Sequence, residues 1–145
     1  MTEQNLWNTL RPVLRREGFD PQRIETPAGS GVPDVDTRFG WIELKDVAAP
    51  LTERGGYPLE HFTKQQRAWL LRRWLVGGSA WLLVRARRGQ HDAHWFLIDG
   101  ESAFRMPSRP TSLWMADNVT KLTIGPATAL DDFWLAIRGR CDVAS

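Results

Sequence analysis

Two acids and a lysine stand close together between residues 31 and 45, where the chain reads GVPDVDTRFGWIELK. Asp34 follows a Gly-x-Pro turn, a short polar turn covers Thr37 to Gly40, and an alternating apolar stretch then carries Glu43 and Lys45. In a strand, residues two apart point to the same face. Trp41, Glu43 and Lys45 therefore share one face, while Ile42 and Leu44 point the other way, into a core. A turn near Arg38 and Phe39 folds Asp34 back towards Glu43. A two-residue loop sets the acids directly opposite each other, a bulge at Gly40 slips that pairing by one, and the sequence leaves both open. Neighbouring carboxylates repel unless something positive lies between them. A hard divalent cation is the usual solution: Mg²⁺ takes one or two carboxylates, several waters and substrate phosphate oxygens. An ammonium beside it can orient the attacking water or offset charge on a phosphorane. Residue types and spacing thus point to metal-assisted attack on a phosphodiester. The plainer alternative is a hairpin in which Glu43 and Lys45 are solvated neighbours. ExK preceded at hairpin distance by GxPD is much rarer than ExK alone, which favours the chemical reading.

GVPD, WIELK and FTKQQ together resemble the PD-(D/E)xK nuclease superfamily, most closely its small Holliday-junction-resolvase-like and VRR-NUC-type members, which are common in bacteriophages. The likeness is best from about Arg23 to Arg87. The resemblance implies that Asp34 and Glu43 bind Mg²⁺ or Mn²⁺, with the Leu44 carbonyl as a further ligand. It implies that Lys45 is the catalytic lysine and that Gln66 matches the glutamine on the helix after the core strands. In that family a glutamate on the first helix often completes the metal site, which makes Glu3 a candidate third carboxylate. An ordinary first-turn acid facing the positive helix end explains Glu3 better, and Glu17 and Glu25 are weaker rivals.

The elements that must position these residues are readable in outline. Thr2 to Arg16 has an N-cap and an apolar face of Leu6, Leu10, Val13 and Leu14, with Pro12 expected to bend or split the helix. Gln22 to Thr26 reads as a short strand and Pro27 to Gly31 as a turn. Asp46 to Leu59 is an irregular loop directly after the proposed catalytic strand. His61 to Leu75 is a helix opened by a Thr63–Gln66 capping box, a role for Gln66 that can coexist with the active-site one the resemblance implies, because helix N-termini favour anions such as phosphate. Leu70, Leu71, Trp74 and Leu75 are expected inside, and Lys64, Arg67, Arg72 and Arg73 are available to a phosphate backbone, as are Arg87 and Arg88 in a basic turn. Ala80 to Ile98 reads as a hairpin whose first strand is a buried apolar run. His91 and His94 have no supporting thiol or carboxylate cluster, so turn and strand-surface roles suit them better than metal binding. Asp99 to Phe104 is a helical turn, Pro107 to Pro110 a loop, Asn118 to Ile124 an edge strand and Ala127 to Ile137 a final amphipathic helix. This order predicts an α/β domain, a mixed sheet flanked by helices, and the resemblance implies a restriction-endonuclease-like core over residues 1–145.

Composition bounds the function. A chain of 145 residues, 42% hydrophobic and 25% charged, is sized for one core, and a net charge of +2 leaves any nucleic-acid affinity to local basic clusters. No apolar run nears the ~18 residues of a membrane span. The polar N-terminus lacks a signal-peptide core, and the single Cys141 excludes an internal disulfide and a thiolate zinc site, which suits a reducing cytoplasm. Most of the eight Trp suit core packing, with Trp41 and Trp114 the candidates for exposure. The expected activity is a Mg²⁺- or Mn²⁺-dependent endonuclease acting on DNA, with branched or junction DNA as one substrate class and a homodimer as one assembly. The alternatives are a non-catalytic DNA-binding module and a protein-interaction role for the Trp-rich second half.

Overall fold

Strand propensity is strongest at residues 80–87, AWLLVRAR, and in the computed structural model this run lies at the middle of the sheet with every residue but the last buried. The structure describes residues 2–26, 30–52, 54–89 and 92–144. Helix α1 (Glu3–Arg16) comes first, followed by β1 (Gln22–Arg23), β2 (Val35–Thr37) and β3 (Gly40–Ala48). Helix α2 (Lys64–Leu75) then leads to β4 (Ala80–Arg87) and β5 (Ala93–Asp99). Helices α3 (Gly100–Arg105) and α4 (Ser112–Asn118) precede β6 (Lys121–Gly125), a 3₁₀ turn (Ala127–Ala129) and α5 (Asp131–Ala144). The six strands form one mixed sheet in chain order, antiparallel throughout except for β3 beside β4. The parallel pair needs a crossover, and α2 supplies it. The result is a single α/β domain.

Alternation divides the core in two. Ile42 and Leu44 of β3 pack with Leu83, Trp95 and Leu97 under α1 and α5. Leu82, Val84, Phe96 and Ile98 face the other way, under α2, α3 and the segment around Tyr57 and Leu59. Covering both faces explains why β4 is apolar throughout rather than alternating.

Several expectations change in detail. Pro12 does not split α1, which runs unbroken with its N-cap Thr2 accepting from the Asn5 amide. Pro12 lies on the solvent side, beside an exposed Asn8, so the carbonyl that its ring leaves unbonded meets water. Leu75 is not inside but 65% exposed, at the last position of α2, where Val76 and Gly77 end the helix. The last helix begins later and runs further than its apolar pattern, with the 3₁₀ turn and Leu130 ahead of it. The edge strand lies at 121–125, with Leu122 and Ile124 exposed along with Lys121. Helix α4 was not anticipated; Thr111 caps it by accepting from the Trp114 amide. Trp41 and Trp114 are both half-buried. The turn at 27–29 and His91 lie outside the described residues.

Candidate metal and phosphodiester site

The register left open by the sequence is decided by a two-residue loop, Arg38–Phe39. Thr37 pairs with Gly40, Asp36 with Trp41 and Val35 with Ile42. The Thr37 hydroxyl donates to the Gly40 carbonyl at 2.7 Å and accepts from the Phe39 amide at 3.1 Å, which ties the loop shut. Gly40 has a φ of +149° and lies against Ser79, where a Cβ has no room. No bulge intervenes, so the same pairing carried one residue further brings Asp34 opposite Glu43.

β2 ends after three residues, and beyond it the flank of β3 is open. Asp34 fills the next position in the ladder with its side chain: Oδ2 accepts the Leu44 amide at 2.9 Å, while its own carbonyl accepts from the Ile24 amide at 2.8 Å. Gly31, at φ +76°, lies against the first turn of α2, where a Cβ would come within 2.5 Å of the Gln65 carbonyl. A side chain there is excluded both by the backbone conformation and by lack of space.

Glu43 and Lys45 point to the α2 face, as the alternation predicts. Glu43 is 1% exposed and Lys45 7%. The Asp34 carboxyl is close enough to Glu43 for its charge to act there. Burial first, and then the charge of Asp34, push Glu43 up to about 8 against the opposing pull of Lys45. Its Oε1 is buried and has no hydrogen-bond partner among the described residues. Lys45 Nζ lies 3.5 Å from Glu43 Oε2, 3.7 Å from Glu3 Oε1 and 3.4 Å from the His61 carbonyl. All three are longer than a well-formed N–H···O bond, so the ammonium is held in place without being tightly committed.

Glu3 therefore reaches the site, with its carboxylate directed to Lys45. Among the described residues no three His, Cys, Asp or Glu side chains gather into a cation cage. The acidic part of the site is the Asp34–Glu43 pair, which leaves the rest of an ion's shell to water and substrate oxygens. Of the weaker rivals, Glu17 pairs with Arg138 at 3.5 Å and Glu25 is exposed.

Gln66 sits in the capping box: its Oε1 accepts the Thr63 amide at 2.9 Å, and its own amide donates to Thr63 Oγ1 at 3.1 Å. The cap uses the oxygen of the side-chain amide and leaves its NH₂ as the end able to serve a substrate. Lys64, Arg72 and Arg73 are exposed on α2, Arg73 lying over the Trp69 ring at 4.8 Å. Arg67 departs from this group. Its guanidinium donates to the carbonyls of Phe62, Ala103 and Met106 and lies over the Phe62 ring, so it ties α2 to α3 instead of facing a phosphate backbone. Burial lowers its pKa. Arg87 is shared with Asp46 at 3.1 Å, and Arg88 is exposed with Nη2 on the Pro50 carbonyl.

Asp46 itself escaped the sequence reading. Its side chain is fully buried on the α1 side of the sheet, where it takes a two-pronged bond from Arg85 at 2.8 and 3.1 Å. Arg85 also reaches Thr9 of α1 at 3.4 Å. This pair fixes the pleat of β3 immediately after Lys45. The signal was present: an arginine inside an apolar central strand requires a buried partner.

The chain matches no protein-family model, no curated protein and no solved structure among those compared with it. What the fold and site define is an α/β domain with a carboxylate pair and a buried lysine at the open flank of a parallel strand.

Proposed function

We propose that this chain is a metal-dependent endonuclease that hydrolyses DNA phosphodiester bonds by direct water attack, on a restriction-endonuclease-like core. The observation that carries the reading is the meeting of Asp34, Glu43 and Lys45 on one sheet face beside the first turn of α2. A buried carboxylate oxygen with no partner among the described residues, beside a second carboxylate, is a donor set suited to Mg²⁺ or Mn²⁺. Asp34 and Glu43 would hold the ion, with the Leu44 carbonyl as a further donor. The ion would supply Lewis acidity towards a phosphate oxygen and a lowered pKa for water.

The chain's own groups account for the rest. Lys45 Nζ, loosely held between Glu43, Glu3 and the His61 carbonyl, can orient the attacking water or offset charge building on the phosphorane. Glu3 keeps that ammonium on the site side. The Gln66 NH₂ can donate to a phosphate oxygen beside the positive end of α2. Lys64, Arg72, Arg73 and Arg88 offer positive charge to the backbone.

The test is cleavage of linear, flapped and four-way-junction DNA in Mg²⁺ and Mn²⁺, with chelator as control, alongside mass in solution for the dimer that two symmetric cuts require. Cleavage should appear with metal and vanish in Asp34→Ala and Lys45→Ala. A folded variant of either kind that cuts like wild type ends the proposal. DNA binding indifferent to metal, with no cleavage of any form, would instead mark a binding module.

A further inference from the structure

We infer that a second pocket, lined by Thr52, Arg54, Tyr57, Arg88, His94 and Ser112, binds a backbone phosphate of the nucleic acid away from the scissile bond. The inference rests on the nucleic-acid reading above, though not on cleavage. The pocket has a volume of about 660 Å³, room for a phosphate with its sugar. Two guanidiniums, an imidazole and three hydroxyls converge there, and no carboxylate is among its described lining residues. That is a donor set for an anion, and paired guanidiniums favour phosphate.

The walls are already built. Tyr57 is 2% exposed, with its hydroxyl 3.5 Å from His94 Nδ1. Its backbone is pinned by Tyr57 N–H to the Pro110 carbonyl at 2.9 Å and by Leu59 N–H to the Ser108 carbonyl at 3.1 Å. Gly56 bridges Thr111 so closely that a Cβ would come within 2.6 Å of the Arg109 carbonyl. Arg88 is anchored by the Pro50 carbonyl and Arg54 is exposed at the rim.

Position names the ligand. Lys45 pairs with Val84 and His94 with Ala86, so His94 faces the same side of the sheet as Lys45 and Glu43. Two strand spacings across and two residues along place it roughly 12 Å from Lys45. Successive phosphates of one strand lie roughly twice the 3.4 Å axial rise apart, so this span is about two nucleotides. One segment also joins the two places: Thr52, Arg54 and Tyr57 wall the pocket, and the carbonyl of His61, a few residues on, accepts from Lys45. A strand whose scissile phosphate lies at Glu43 therefore has a neighbouring phosphate within reach of Arg54, Arg88 and His94.

Binding of a fluorescein-labelled DNA duplex, followed by anisotropy against salt in chelator, tests this. Arg54→Gln, a change at an exposed side chain, should lower the slope of log affinity against log salt by about one, and Arg54→Gln with Arg88→Gln by about two. Affinity at moderate salt should fall about five- to tenfold for the single change. Wild-type slopes in both variants overturn the pocket, and if the wild type still cuts DNA with metal they leave the nuclease reading intact. Pocket-dependent slopes without cleavage in Mg²⁺ or Mn²⁺ do the reverse. Inorganic phosphate that shifts the His94 ring signals, while DNA slopes stay at wild type, assigns the pocket to a free anion and also overturns the inference.

Discussion

The Asp34 side chain accepts the backbone N–H of Leu44 at 2.9 Å, so one carboxylate both replaces a missing strand partner and faces Glu43. Two substitutions separate these duties. Asp34→Asn keeps an acceptor for the amide and should melt close to wild type. Asp34→Ala leaves that amide without its partner and should lose about 1–3 kcal/mol in urea unfolding. Both remove the charge and should slow cleavage on the order of 100-fold or more. An Asp34→Asn protein that cuts at the wild-type rate contradicts the assignment.

Glu43 gives the protein a pH dependence with a defined sign. Its folded pKa of about 8 stands above the ordinary 4.5, so the folded state keeps a proton that the unfolded chain releases between those values. Its contribution to stability is fully present below about 4.5 and is lost as pH rises through about 8. In chelator, wild type should be less stable at alkaline than at mildly acidic pH, by an amount of the order of a few kcal/mol. Glu43→Gln should flatten that difference. Urea titrations of both proteins across this range check it, and parallel wild-type and variant profiles refute it. Added Mg²⁺ should restore alkaline stability to wild type alone, since binding favours the ionised carboxylate.

Gln66 serves a cap whether or not it serves a substrate. Gln66→Ala should cost about 1 kcal/mol, because the Thr63 amide loses its acceptor. Gln66→Glu keeps that acceptor and should melt like wild type, but it lacks the amide donor. Cleavage by Gln66→Glu should therefore fall about tenfold or more despite normal stability. Undiminished cleavage would leave Gln66 as a helix cap and nothing else.

Arg67 should behave as a strut. Arg67→Ala removes donors from the carbonyls of Phe62, Ala103 and Met106 and should cost about 2–3 kcal/mol, with Lys a poor replacement for a planar fork that meets several acceptors. DNA affinity per folded molecule should hardly change. Arg72→Ala and Arg73→Ala, at exposed sites, should each lower the salt slope by about one at little cost to stability. Thermal melts beside salt-dependent binding distinguish the two kinds of arginine.

Much of this arrangement is local, and the sequence alone determined it. The period of two along β3 places Glu43 and Lys45 on one face and Ile42 and Leu44 on the other. Thr63 and Gln66 cap α2 because their spacing closes both bonds within one turn. The apolar run at β4 has to be covered on both sides. Other features depend on residues far apart in the chain, and only the tertiary structure decided them. Alternation tells which face a residue takes but not what it meets there. The register joining Asp34 to Glu43 depends on Gly40 fitting against Ser79, and the anchoring of β3 on Asp46 meeting Arg85, 39 positions away. The diversion of Arg67 to carbonyls of α3, the exposure of Leu75 and the burial that holds a proton on Glu43 are likewise products of packing. Hydrophobic periodicity is a property of neighbours along the chain, whereas desolvation and pairing are set by whichever distant segments fold against them.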